Sequence, residues 1–175
     1  CARATGDLVL FIDGGAELHP HDIRIFLGLL ELYNADAVIG SKRHPQSRVD
    51  YPLHRRFLSR VFQKIVRWSL GLNIRDTQVG LKLFRKEVLD VVLPLLLVKR
   101  YAFDVELLAV AHRRGFRKII EAPIVMDWSA THAYHHQPRE YVHTFRVGWN
   151  LILDVAAIIY RVRWLKYYDA PVRKA

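Results

Sequence analysis

The chain of 175 residues has a single cysteine, Cys1. One thiol cannot build an internal disulfide framework or a multi-cysteine zinc site. This is compatible with a reducing compartment. No basic start followed by an apolar run and a small-residue cleavage site marks a signal peptide. The chain does not begin with Met, and residues 1–6 read as the tail of a helix already under way, so we expect an N-terminal truncation. Acidic residues are scarce, 17 against 27 lysines and arginines, which leaves a net charge of +10. That balance favours anionic partners: nucleic acid, phosphorylated metabolites or anionic lipid. No internal repeat or low-complexity segment occurs. What is present is a hydrophobic content of 51%, enough for one domain with its own core and too much for disorder.

Periodicity predicts alternating strands and helices. Asp7 to Ile12 reads as a buried strand ending at Asp13, Gly14 and Gly15. A helix follows Pro20, carrying Ile23, Phe26, Leu27, Leu30 and Tyr33. Ala35 to Ile39 is a second strand, closed by Gly40. Residues 42–53 read as a polar, basic loop. His54 to Leu70 is helical, with Phe57, Val61, Ile65 and Trp68 on one face, and Gly71 stops it. Leu81 to Phe84 is a strand, and Val88 to Leu97 and Asp104 to Arg114 are helices. Phe116 to Ile120 and Pro123 to Met126 are strand-like. A long helix runs from about Arg139 to Tyr167. The expectation is an α/β fold with a mostly parallel sheet, its ligands at the carboxyl ends of the strands.

Four constellations carry chemistry. Asp13 and Glu17 lie on a glycine-containing loop after a strand. Mg²⁺ commonly takes one or two carboxylates together with substrate phosphates, although Glu17 also suits the first turn of a helix. Ser41 and Lys42 end the second strand. Arg55 and Ser59, four apart on one helix face, can clasp a phosphate, or form part of a solvated basic face. Asp76-Thr77-Gln78-Val79-Gly80-Leu81-Lys82-Leu83-Phe84 sets an acid, a hydroxyl, an amide and a cation around a glycine, as the wall of a pocket for phosphate and sugar oxygens would. Asp104 either caps a helix or points into that pocket.

In this order the motifs resemble the C-terminal part of a GT-A (Rossmann-like) glycosyltransferase of the dolichyl-phosphate mannose synthase type. The resemblance rests on Phe11-Ile12-Asp13 with Glu17, Gly40-Ser41-Lys42, Arg55-Arg56-x-x-Ser59, the unbroken Asp76 to Phe84 run, Phe103 to Leu108, and Glu121-x-Pro123. It covers about residues 2–128. Residues 1–128 are then the C-terminal part of the catalytic domain, its nucleotide-gripping half missing and the fragment inactive alone. Residues 129–175 form a loop and an amphipathic helix. The resemblance implies an inverting transfer of a hexose from a GDP- or UDP-sugar to a polyprenyl phosphate, at the cytoplasmic face of a membrane. It implies that Asp13 and Glu17 hold Mg²⁺ or Mn²⁺. Lys42, Arg55 and Ser59, with Ser41 and Lys82 beside them, bind substrate. Asp13, Asp76, Gln78 and Asp104 form the catalytic set, Asp76, Gln78 and Asp104 lining the sugar site. The sequence departs from the pattern at Gly15, where the family carries a second Asp, and at residues 127–131, which lack the usual Arg.

Val147 to Tyr160 is shorter than the ~20 residues that span a bilayer. With Arg161, Arg163, Trp164 and Lys166 beyond it, the segment suits a helix lying in the membrane interface or packing on the domain. His132, His135, His136 and His143 suit a surface loop better than a metal site. A rival from another class is a non-catalytic basic module with a degenerate metal site, binding anionic lipid or nucleic acid. Nucleic acid ranks last, because residues 42–50 interleave no aromatics.

Overall fold

The computed structural model describes residues 4–14, 22–49, 53–126 and 138–169. In chain order the elements are β1 (Leu8–Ile12), α1 (Ile23–Leu32), β2 (Ala37–Gly40), β3 (Arg48–Val49), α2 (Leu53–Leu70), β4 (Leu81–Arg85), α3 (Lys86–Val92), α4 (Phe103–Arg113), β5 (Ile119–Ala122), β6 (Val125–Met126) and α5 (Pro138–Arg163). Short 3₁₀ turns cover Leu93–Leu95 and Tyr167–Asp169.

The main sheet has the order β1-β4-β2-β5. Here the structure corrects the expectation of a mostly parallel sheet. β4 runs antiparallel to both β1 and β2, and only β2 with β5 is parallel. The reason is the route into β4. After α2 the chain passes through the irregular segment 71–80, which enters the sheet at the end where β1 and β2 finish. That inversion has a functional consequence: Asp13 after β1, Ser41 after β2 and Gly80 before β4 meet at one sheet edge.

Strand alternation assigns the two faces. Leu81 and Leu83 join Val38, Phe26 and Leu30 in a core under α1. Phe84 joins Ala37, Ile39 and residues of α2, α3, α4 and α5 in a larger core on the other face. Lys82 shares that second face by the same period of two.

Two elements differ from their sequence pattern. The helix expected over Val88 to Leu97 stops at Val92 and tightens into a 3₁₀ turn, because Pro94 has no N–H to continue the ladder. The loop expected over 42–53 contains β3, which pairs with β6. Arg48 N donates to Ile124 O at 3.0 Å, and Ser47 Oγ accepts from Ile124 N at 3.0 Å.

α5 buries Val155, Ile158 and Val162 in the larger core while Trp149, Ile152, Leu153 and Tyr160 stay exposed. It therefore packs on the domain along one face only. Among the described residues no helix is long and apolar enough to cross a membrane.

Candidate active site

A cleft of about 800 Å³ opens at the sheet edge where β1 ends and β4 begins. Its walls include Asp13, Gln78, Gly80, Lys82, Asp104 and Asn150. Five of the six come from sequence segments singled out above; Asn150 comes from α5.

Asp13 is exposed at the lip. Its N–H donates to Gly80 O at 2.8 Å, which fixes the backbone just past β1. Its side chain lies flat against Gly80. A Cβ on Gly80 would stand 1.8 Å from Asp13 Oδ2 and 2.6 Å from Asp13 Cβ. The glycine is there because the carboxylate occupies the space of a side chain.

Lys82 is buried, and a buried ammonium requires partners. It donates to Val79 O at 2.5 Å and pairs with Asp104 Oδ1 at 2.9 Å. Asp104 stands in the first turn of α4. Ala102 holds the N-cap position, so the capping role open to Asp104 in the sequence is not the one it takes. Burial pushes its carboxyl above the usual carboxylate range, and Lys82 pulls it back by charge and hydrogen bond. The Asp13 carboxylate adds a smaller upward push, so the two acids feel each other across the cleft.

Asp76 is buried and engaged by the protein itself. Its Oδ2 accepts from Lys42 N at 3.1 Å and lies 3.5 Å from Lys42 Nζ; its Oδ1 accepts from Gln78 N at 3.1 Å. Gln78 is thereby aimed at the cleft, and among the described residues its Nε2 finds no acceptor. Thr77, also buried, is held by Gln63 Nε2 at 2.8 Å.

The basic set divides. Lys42 goes to Asp76, whereas Ser59 Oγ accepts from Arg43 Nη2 at 2.8 Å. Ser41 is buried, and its hydroxyl accepts from Arg43 N at 3.3 Å. The structure therefore pairs Ser59 with Arg43 and does not bring Lys42 to it. Arg55 lies on α2 with its side chain outside the described residues, as do Glu17, residues 127–131 and the four histidines.

Three positions were given no role by the sequence reasoning. Glu121 accepts from Arg75 N at 3.0 Å and Asp76 N at 3.1 Å, anchoring the motif from β5. Arg43 stood in the basic loop, with nothing local to single it out from Lys42. Glu106 is fully buried and accepts from Leu97 N and Val98 N at 2.9 and 2.7 Å, and from the Tyr168 hydroxyl. Its signal was a charged residue on the apolar face of a helix.

One exposed carboxylate, Asp13, is a hard oxygen donor at the lip of the cleft, and it fits a divalent cation completed by ligand oxygens. Among the described residues no group of three His, Cys, Asp or Glu residues forms a self-sufficient metal cage.

The chain is 35% identical over 133 residues to the human dolichyl-phosphate beta-glucosyltransferase, covering 72% of this chain and 40% of that protein. It is 32% identical over 133 residues to a dolichyl-phosphate beta-glucosyltransferase of Trichomonas vaginalis, covering 74% and 40%. It is 30% identical over 120 residues to the undecaprenyl-phosphate mannosyltransferase of Micrococcus luteus, covering 67% and 48%. The chain thus spans less than half the length of these relatives. Its fold resembles that of glucosyl-3-phosphoglycerate synthase from Mycobacterium tuberculosis, solved with Mn²⁺, UDP-glucose and phosphoglyceric acid. That likeness has a TM-score of 0.58 at 19% identity, over 98% of this chain and 53% of the other. The profile of Glycosyl transferase family 2 matches residues 1–93, the stretch holding Asp13, the Asp76 to Phe84 run and the strand edge they share, and the chain belongs to that family.

Proposed function

We propose that the whole protein transfers a hexose from a nucleotide sugar, a UDP- or GDP-hexose, to a polyprenyl phosphate, working peripherally at the cytoplasmic face of a membrane. The observation that carries this reading is the convergence of Asp13, Gln78 and Asp104 on one cleft. It is supported by relatives that are named for transfer to dolichyl or undecaprenyl phosphate. The rival reading as a non-catalytic basic module finds no such support.

Asp13 would hold Mg²⁺ or Mn²⁺, with Glu17 a second candidate, and the cation supplies charge neutralisation to a departing diphosphate. Gln78 offers an amide donor with no partner among the described residues, suited to a sugar or phosphate oxygen. Asp104, pinned by Lys82, lines the same cleft and would accept from a sugar hydroxyl. Asp76 orients Gln78 and the Lys42 backbone. Arg43 and Ser59, bonded to each other, with Arg55 on the helix of Ser59, would supply donors for the acceptor phosphate, and Lys42, held at Asp76, a further cation. That phosphate is already an anion, so attack on the anomeric carbon needs little proton removal.

The test uses the full-length protein, polyprenyl phosphate, a panel of labelled UDP- and GDP-hexoses, and Mn²⁺ or Mg²⁺. Metal-dependent lipid labelling that disappears in Asp13→Ala is expected. Labelling that persists undiminished in the variant would remove Asp13 from the reaction.

A further inference from the structure

A second, smaller groove of about 420 Å³ lies outside the cleft, between α2 and the segment that leads to β4. Its walls carry Arg43, Arg60, Lys64, Arg67 and Arg75, and among the described residues no acidic one. Among the described residues, none of Arg60, Lys64 and Arg67 has a carboxylate within ion-pair distance. Two of the four guanidinium groups are fixed by neutral partners. Arg43 donates to Arg75 O at 2.5 Å, and Arg67 Nη2 to Asn73 Oδ1 at 2.7 Å. Five cations around one groove, three of them without an ion-pair partner among the described residues, repel one another, and an anion in the groove would relieve that.

α2 shows why the anion is carried by lipid. Arg60, Lys64 and Arg67 repeat at helical spacing along one stripe. Val61, Ile65 and Trp68 repeat beside it, one residue on, and all three are exposed, Trp68 at 83%. The buried side of the same helix is supplied by Val66 and Leu70. Among the described residues, the apolar stripe therefore has no partner within the domain. A contiguous shallow depression joins Lys64, Arg67 and Trp68. A basic stripe alone suits any polyanion. A basic stripe flanked by exposed aliphatic and indole side chains suits the boundary between headgroups and acyl chains. A nucleic acid would leave Val61 and Ile65 in water.

We infer that this groove binds the phosphate of an anionic bilayer lipid while Val61, Ile65 and Trp68 enter the headgroup layer, seating α2 on the membrane. The inference deepens the membrane-peripheral reading above and rests on it. Arg60, Lys64, Arg67 and Trp68 are not part of the cleft, so seating and catalysis are separable.

The experiment is co-sedimentation of the full-length protein, without nucleotide sugar, with phosphatidylcholine vesicles containing or lacking phosphatidylglycerol. The triple variant Arg60→Gln, Lys64→Gln, Arg67→Gln is expected to bind the anionic vesicles about a hundredfold more weakly, from roughly fivefold per cation. Its thermal unfolding midpoint and its transfer to a short-chain, detergent-dispersed acceptor should match the parent. Trp68→Ala is expected to weaken binding while leaving its salt dependence unchanged. Soluble glycerol phosphate should release the protein better than chloride at equal ionic strength. Equal release by both would overturn the site in favour of a diffuse field. Undiminished vesicle binding by the triple variant would overturn it too, as would tighter binding to a single-stranded oligonucleotide than to anionic vesicles. Loss of transfer in Asp13→Ala with vesicle binding intact would show that the two readings stand or fall separately.

Discussion

Asp13 occupies the place where Gly80 would carry a side chain: a Cβ there would stand 1.8 Å from the carboxylate oxygen. The contact joins the end of β1 to the start of β4, two segments far apart in sequence, and explains the glycine within the Asp76 to Phe84 run. Gly80→Ala is therefore expected to displace Asp13 rather than to disturb the core. Transfer should fall by about a hundredfold, the cost of misplacing a reacting group by about an ångström. The thermal unfolding midpoint should change little. An alanine variant with parental activity would show that the position of Asp13 does not matter.

Lys82 holds Asp104 at 2.9 Å, and its charge opposes the upward push of burial on that acid. The acid limb of kcat/KM against pH should lie above the ordinary carboxylate value of 3.8. Lys82→Met removes the opposing cation, so the limb should move further up. The same variant should lose roughly 1–3 kcal/mol of stability by leaving a half-buried carboxylate without its donor. A limb that stays in place would mean that Asp104 is not the group titrating in the reaction.

Asp76 is a buried acceptor for two backbone N–H groups. Asp76→Ala leaves both without a partner and should cost about 3 kcal/mol, read as a lower denaturation midpoint. Asp76→Asn keeps an acceptor and should recover much of that stability. Its transfer activity should be intermediate, since Gln78 stays oriented while Lys42 loses its anion. An alanine variant as stable as the parent would contradict the assignment of Asp76 to positioning.

Tyr168 donates to the buried carboxylate of Glu106 and ties the C-terminal 3₁₀ turn to α4. Burial, then the hydrogen bond and charge of Glu106, push the phenol above its ordinary 10.0. Because the folded value is raised, the stabilisation is fully present below the unfolded value and is lost as pH rises through the folded one. Tyr168→Phe should therefore cost roughly 1–3 kcal/mol near neutral pH. The gap to the parent should narrow above pH ~10. Chemical denaturation across that range measures it, and a gap that widens with pH would reverse the assignment.

Local pattern was enough for most of the element sequence, because hydrophobic period and glycine and proline punctuation act over a few residues; it missed the short β3, whose pairing with β6 is long-range. The ordered polar motifs were enough for the family. The sheet's mixed direction was not legible. Strand polarity depends on which end of the sheet segment 71–80 enters, and no local residue states that. Asp13, Gln78 and Asp104 were each visible as chemistry-bearing residues, but their common cleft depends on that polarity. Lys42 and Arg43 differ only in where their side chains reach, so the pairing of Arg43 with Ser59 and of Lys42 with Asp76 was settled by packing. Likewise the charge of Glu106 was plain in the sequence. Its burial under Tyr168 required α4, α5 and the C-terminal turn to close on one another, because a carboxylate leaves water only where the assembled fold supplies donors in its place.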